Sequence, residues 1–175
     1  MLKTDKKQKI PFSEAEIEKV LSYFSSKSSF DEVRDRAIIE TLYATGMRRS
    51  ELTGLKLQDL DLEQKQIKIS GKGDKERYIP VIPELEATLK EYLRLREEIA
   101  NKKSEDFLFL VKNGKKIYPT LVYRIINSYF SAVTSKKDVS PHILRHSFAS
   151  HLLARGWAFL YCRFSSTRLV LVYTC

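Results

Sequence analysis

Four side chains of this sequence are of a type that holds anions, and each falls where the chain changes direction. Arg48, in "GMRRSEL", stands at the opening of a short helix, where backbone N–H groups and the helix dipole favour negative charge. Lys72 sits in the glycine-flanked turn "GKGDK", from which its long stem can reach beyond the body of the fold. His142 and Arg145, three residues apart in "PHILRHSF", share one face of a helix near its N-terminus. Each is ordinary alone: an arginine at a helix start is commonly just solvated, and lysines suit glycine-rich turns. Their joint occurrence points to a site that grips an anion.

The charge balance agrees. There are 31 Lys and Arg against 22 Asp and Glu, a formal net charge of +9, which suits a polyanionic partner such as nucleic acid. Apolar residues make up 43% and charged ones 30% of the 175 residues, the mix of a soluble globular domain and not of a disordered chain. The opening "MLKTDKKQKI" is basic but has no apolar segment behind it, so no secretory signal is expected, and no apolar run reaches membrane-spanning length. Cys162 and Cys175, the two cysteines, form no metal-ligand pattern. A cytoplasmic, reducing compartment without a disulfide framework is therefore expected.

Helices and one hairpin must position these groups. Residues 1–11 read as a linker or basic arm ending at Pro11. Ser13 and Glu16 form a capping box that opens a helix with Ile17, Val20, Leu21 and Phe24 on one face. "SSKSS" is a loop, and a second helix over 31–45 buries Val33, Ala37, Ile38, Thr41 and Leu42 before stopping at Gly46. From Gln66 to Pro80 the period changes to two, which predicts a β-hairpin around "GKGD". A long helix over 83–100 turns Leu85, Leu89, Tyr92, Leu93 and Leu95 inward, and "DFLFLV" is a short buried strand or extended segment. Two more helices follow, one with Pro119 in its first turn and one capped by Ser140 with Pro141 next and Gly156 as its stop. The fold class is mainly α with a small antiparallel β-sheet.

Three of these segments, "LYATGMRRSELTGL", "GKGDKERYIP" and "HILRHSFASHLL", resemble in order and approximate spacing the catalytic domain of the tyrosine recombinases, the phage-integrase and Xer family. The resemblance covers roughly residues 12–156 and implies a DNA breaking-rejoining enzyme fold there. It aligns the family's first catalytic arginine with Arg48, its hairpin lysine with Lys72, and its His-x-x-Arg pair with His142 and Arg145. Arg49, Lys75, Arg77 and His146 become supporting or DNA-contacting residues, and Glu51 orients Arg48 or packs the motif. The implied reaction is site-specific cutting and rejoining of double-stranded DNA through a 3′-phosphotyrosine. Arginines would grip the nonbridging oxygens, Lys72 would protonate the 5′ oxygen, and His142 would act as base or hydrogen-bond donor. No cofactor and no metal is implied, because the covalent intermediate conserves the bond energy. Members act as tetramers on DNA; a monomer in isolation is the alternative for this chain.

Two features depart from that pattern. The chain begins at what resembles the interdomain linker, so the family's N-terminal clamp domain is expected to be missing and DNA binding to be weak and salt-sensitive. The tail, residues 157–175, is atypical: it holds no Asp, Glu or Lys, helical periodicity fails, and no histidine stands in for the family's third box. Tyr173, in "VYT", resembles the nucleophile's context, whereas Tyr161 has no motif support. A tail read out of frame near Trp157 is the alternative. It would make the chain a DNA-binding remnant of an integrase without a working nucleophile.

Overall fold

The computed structural model describes residues 10–26, 29–70, 76–101, 104 and 106–154. Helix α1 (Glu14–Tyr23) starts at the expected capping box: Ser13 Oγ accepts from the Glu16 N–H at 3.2 Å, and Glu16 Oε2 accepts from the Ser13 N–H at 2.7 Å. Helix α2 (Phe30–Thr45) begins one residue before the expected start, because Ser29 in the "SSKSS" stretch caps it and bonds Glu32. All five residues expected to be buried on α2 are buried, and so are Arg34, Asp35, Ile39, Glu40 and Thr45. A helix buried on nearly every side is the hub of the domain, with α4 and α6 packed against it.

The chain leaves α2 through Gly46, which adopts a left-handed φ of 57° and whose N–H bonds the Leu42 carbonyl. Close approach matters here as much as the turn. A Cβ on Gly46 would lie 2.2 Å from Cδ1 of Phe148, so the glycine lets α6 lie against the end of α2. Buried Met47 follows, and α3 (Arg49–Gly54) starts at once with Arg48 as its N-cap.

The hairpin is the larger part of a three-stranded antiparallel sheet in the order β1 (Leu60–Asp61), β2 (Gln66–Ser70), β3 (Glu76–Pro80). Strand β1, two residues long, carries too little pattern to be read from sequence. Register pairs Ile67 with Ile79 and Ile69 with Arg77, and their shared face turns inward. Helix α4 (Pro83–Ile99) buries Leu85, Leu89 and Tyr92 as expected, whereas Leu93 and Leu95 are only half-buried; Thr88 and Arg96 complete its inward face. Arg96 and Tyr92 fasten the segment that follows. Arg96 donates to the carbonyls of Phe107 and Leu108, and the Tyr92 hydroxyl bridges the Leu108 carbonyl and the Leu110 N–H, so the buried 107–110 segment is held without a regular strand. Two isolated bridges, Lys56–Phe107 and Leu110–Lys116, are its only ladder pairings among the described residues.

Helices α5 (Pro119–Ser131) and α6 (Pro141–Ala154) close the domain. The segment before α1 is fastened to both. Phe12 is fully buried, stacks on Phe130 of α5 with centroids 4.3 Å apart, and donates its N–H to Ser147 Oγ of α6 at 2.8 Å. Among the described residues no helix is long and apolar enough to cross a membrane.

Candidate active site

Glu51 organises the groups that the sequence singled out. Standing at the third position of α3, it closes a capping box on Arg48, whose N–H donates to Glu51 Oε2 at 2.6 Å. The anion at this helix start is therefore the protein's own carboxylate, and the Arg48 side chain, not the helix end, is what remains to meet another. Arg48 Nη1 donates to Glu51 Oε1 at 3.0 Å, yet its side chain is 59% exposed while that of Glu51 is 7% exposed.

From β3, Arg77 reaches the same carboxylate with both arms of its guanidinium, Nη1 to Oε1 at 3.1 Å and Nη2 to Oε2 at 2.7 Å. From α6, Arg145 brings Nη1 to 4.0 Å from Oε2, with its side chain 38% exposed. Helix, strand and helix thus meet at one carboxyl. Burial alone would raise the pKa of Glu51, but the hydrogen bonds from Arg77 and from the Arg48 N–H, with the nearby positive charge, outweigh it and hold the carboxyl at about 2. Three guanidinium groups around one ionised carboxylate leave an excess of positive charge at the surface.

Helix α6 presents its groups in the expected order. Pro141, Ile143, Leu144 and Ser147 face the core, while His142 is exposed one turn before Arg145. His146 is also exposed, with Nδ1 3.3 Å from Ser150 Oγ. The far end of α6 is tied to α2 by the 2.9 Å contact between the Tyr43 hydroxyl and His151 Nδ1, a pair with no signal in the sequence.

Of the five expected site residues, Arg48 and Arg145 share the Glu51 carboxylate, and His142 lies on the same helix as Arg145. Lys72 and Tyr173 lie outside the described residues, as does the 157–175 tail. The residues on either side of 71–75 are described: Ser70 pairs with Glu76, and Ser70 also lines a groove of about 360 Å³ with Ser50, Glu51, Lys56 and Lys68. Arg77 gives Glu51 two side-chain hydrogen bonds, against one from the Arg48 side chain. The strand alternation contained that signal, since Arg77 falls on the same face as Ile79.

A mainly helical body with a three-stranded antiparallel sheet is the fold of tyrosine-recombinase catalytic domains. The structure is similar to the XerA recombinase crystal structure, with a TM-score of 0.74 and 33% identity over 84% of this chain and 52% of that one. It is also similar to the XerH site-specific recombinase bound to palindromic difH substrate in a post-cleavage complex, with a TM-score of 0.72 and 31% identity over 87% of this chain and 44% of that one. The model of the phage integrase family matches residues 1–159, and the chain belongs to that family. Among curated relatives, tyrosine recombinase XerC of Thermodesulfovibrio yellowstonii is 43% identical over 135 residues, which is 75% of this chain and 45% of the relative. Tyrosine recombinase XerD of Lacticaseibacillus casei is 38% identical over 125 residues, 71% of this chain and 43% of that one. The chain spans less than half the length of these relatives.

Proposed function

We propose that residues 12–156 are the catalytic domain of a site-specific DNA recombinase that cuts and rejoins double-stranded DNA through a 3′-phosphotyrosine. The observation that carries this reading is the convergence of Arg48 and Arg145 on Glu51, with their side chains still open to solvent. A DNA phosphodiester carries one negative charge and gains more on its nonbridging oxygens as a nucleophile attacks. The positive excess around Glu51 matches that change, and two guanidinium forks suit two nonbridging oxygens. The kinship with recombinases solved on DNA supports the same partner here.

The step balances without any other reagent. The Tyr173 oxygen attacks the phosphorus, a P–O bond to tyrosine forms, and the P–O5′ bond breaks. His142 accepts the tyrosine proton, or donates a hydrogen bond to the phosphate while solvent water accepts that proton, and Lys72 delivers a proton to the departing 5′ oxygen. Attack by a 5′ hydroxyl of another strand reverses the sequence and frees the tyrosine. On this reading the working assembly is a homotetramer on two DNA duplexes and the compartment is the cytoplasm, with residues 1–11 as an arm and 157–175 as the segment that brings the nucleophile.

A nicked suicide duplex tests it. Cleavage releases a short fragment that carries the 5′ hydroxyl and diffuses away before it can religate, so a covalent protein–DNA adduct is expected to accumulate and to be absent from Tyr173→Phe. Duplex binding with no adduct would contradict the enzyme and mark the chain as a DNA-binding remnant.

A further inference from the structure

Glu51 is saturated. Each of its oxygens accepts two hydrogen bonds, Oε1 from Arg48 Nη1 and Arg77 Nη1, and Oε2 from the Arg48 N–H and Arg77 Nη2. A carboxylate offers about four lone-pair positions, and all four are taken. Arg145 Nη1 stands 4.0 Å from Oε2, close enough for attraction and beyond hydrogen-bond length. Half of the saturation comes from Arg77, a strand residue whose side chain is only 22% exposed and which lies second in β3.

We propose that Arg77 is a positioning residue whose two-armed grip on Glu51 keeps that carboxylate from drawing in Arg145, so that Arg48 and Arg145 can engage a DNA phosphate. This rests on the DNA-recombinase reading above. Without Arg77, two acceptor positions on a nearly buried carboxylate lose their donors, and among the described residues Arg145 is the other guanidinium within 4.0 Å of it besides Arg48. Glu51 then competes with the phosphate for the guanidinium. Because Arg77 is on β3, the same grip also fixes the base of the hairpin that carries Lys72 against α3.

The competition gives a test that a merely structural arginine would not pass. Binding of the full chain to a labelled random-sequence duplex is measured for wild type, Arg77→Ala, Glu51→Gln and the double variant. Glutamine keeps an acceptor for the Arg48 N–H while losing the charge that attracts Arg145. Arg77→Ala is expected to bind about tenfold more weakly, and Glu51→Gln to recover most of that loss, far beyond its effect in the wild-type background. Should circular dichroism show Arg77→Ala unfolded, Arg77→Lys carries the same cycle, since lysine keeps the charge but lacks the fork; about a threefold loss with the same recovery is expected. An Arg77 variant that binds like wild type overturns the proposal, and so does a loss that Glu51→Gln leaves in place, which would make Arg77 a direct DNA contact or a fold determinant. A wild-type chain that binds no duplex sinks the recombinase reading itself and this inference with it.

Discussion

Two arginine–carboxylate clusters in this domain have opposite stoichiometry. On α2, Arg34 gives Nε and Nη2 to Asp35 at 2.9 and 2.6 Å and Nη1 to Asp31 at 2.6 Å, so two carboxylates enclose one guanidinium that is 5% exposed. Around Glu51 the ratio is inverted, with three guanidinium groups about one carboxylate and the outer two half-open to solvent. The titration behaviour follows. Burial pushes the Asp35 carboxyl up despite the charge of Arg34, whereas at Glu51 the hydrogen bonds override burial and the carboxyl falls to about 2. The first cluster engages its only guanidinium on both carboxylates and leaves no cationic arm to offer. The second has cationic arms to offer, and on the proposed reading that difference separates a structural ion pair from a binding site more clearly than residue type does.

The sharpest way to break this contrast is to open the sealed cluster. Arg34→Ala leaves Asp35 buried without its cation and is expected to cost about 3–5 kcal/mol of stability, read from denaturant unfolding. Whatever fraction stays folded should bind duplex DNA with wild-type salt dependence. A changed salt dependence would mean that the α2 cluster also meets DNA.

Gly46→Ala probes the packing that brings the open cluster together. The left-handed φ of 57° and the 2.2 Å approach to Phe148 both oppose a Cβ, so a loss of roughly 1–3 kcal/mol is expected from the backbone alone. Phe148 must shift, α6 moves with it, and DNA binding should fall more than the unfolded fraction accounts for. A variant as stable and as tight-binding as wild type would disconnect α6 placement from the site.

The smallest expected effect is on the acid limb of stability. Glu51 sits at about 2 in the folded state against an ordinary 4.5, so its contribution is complete above the ordinary value and is lost as pH falls through about 2. Glu16 behaves alike, held at about 2 against the effect of burial by Lys136 and by the capping bonds of Ser13. Asp35 runs the other way, because a raised carboxyl weakens the fold as pH rises through its titration. Glu51→Gln should therefore flatten part of the stability loss between about pH 4.5 and 2, leaving the share due to Glu16. An unchanged acid limb would place the Glu51 shift in doubt.

How far the sequence could be read follows the same divide. Local chemistry was legible: the Ser13–Glu16 capping box, Gly46 as a helix stop, the inward residues of α2 and the helical spacing of His142 and Arg145 each depend on near neighbours. Motif order then supplied the family and with it Arg48 and Arg145. What stayed hidden depends on distant pairs. Strand β1 exists only because β2 lies beside it, Arg96 is buried because the 107–110 carbonyls need donors, and Arg77 ranks with the site because α3 carries Glu51 across from it. A lone polar residue on an inward strand face was the visible trace of that last contact. Which carboxylate it met could not be read from spacing alone.

The central claim, that Arg48 and Arg145 together form a phosphate grip, is tested most directly by the salt dependence of duplex binding for the wild type and the Arg48→Ala/Arg145→Ala double variant. Each phosphate contact contributes about 0.9 to the slope of log affinity against log salt, so the double variant is expected to bind more weakly at every salt concentration with a slope lower by about one to two. A double variant with wild-type affinity and an unchanged slope would contradict it, and the Glu51 cluster would then be a structural ion pair like that of Arg34.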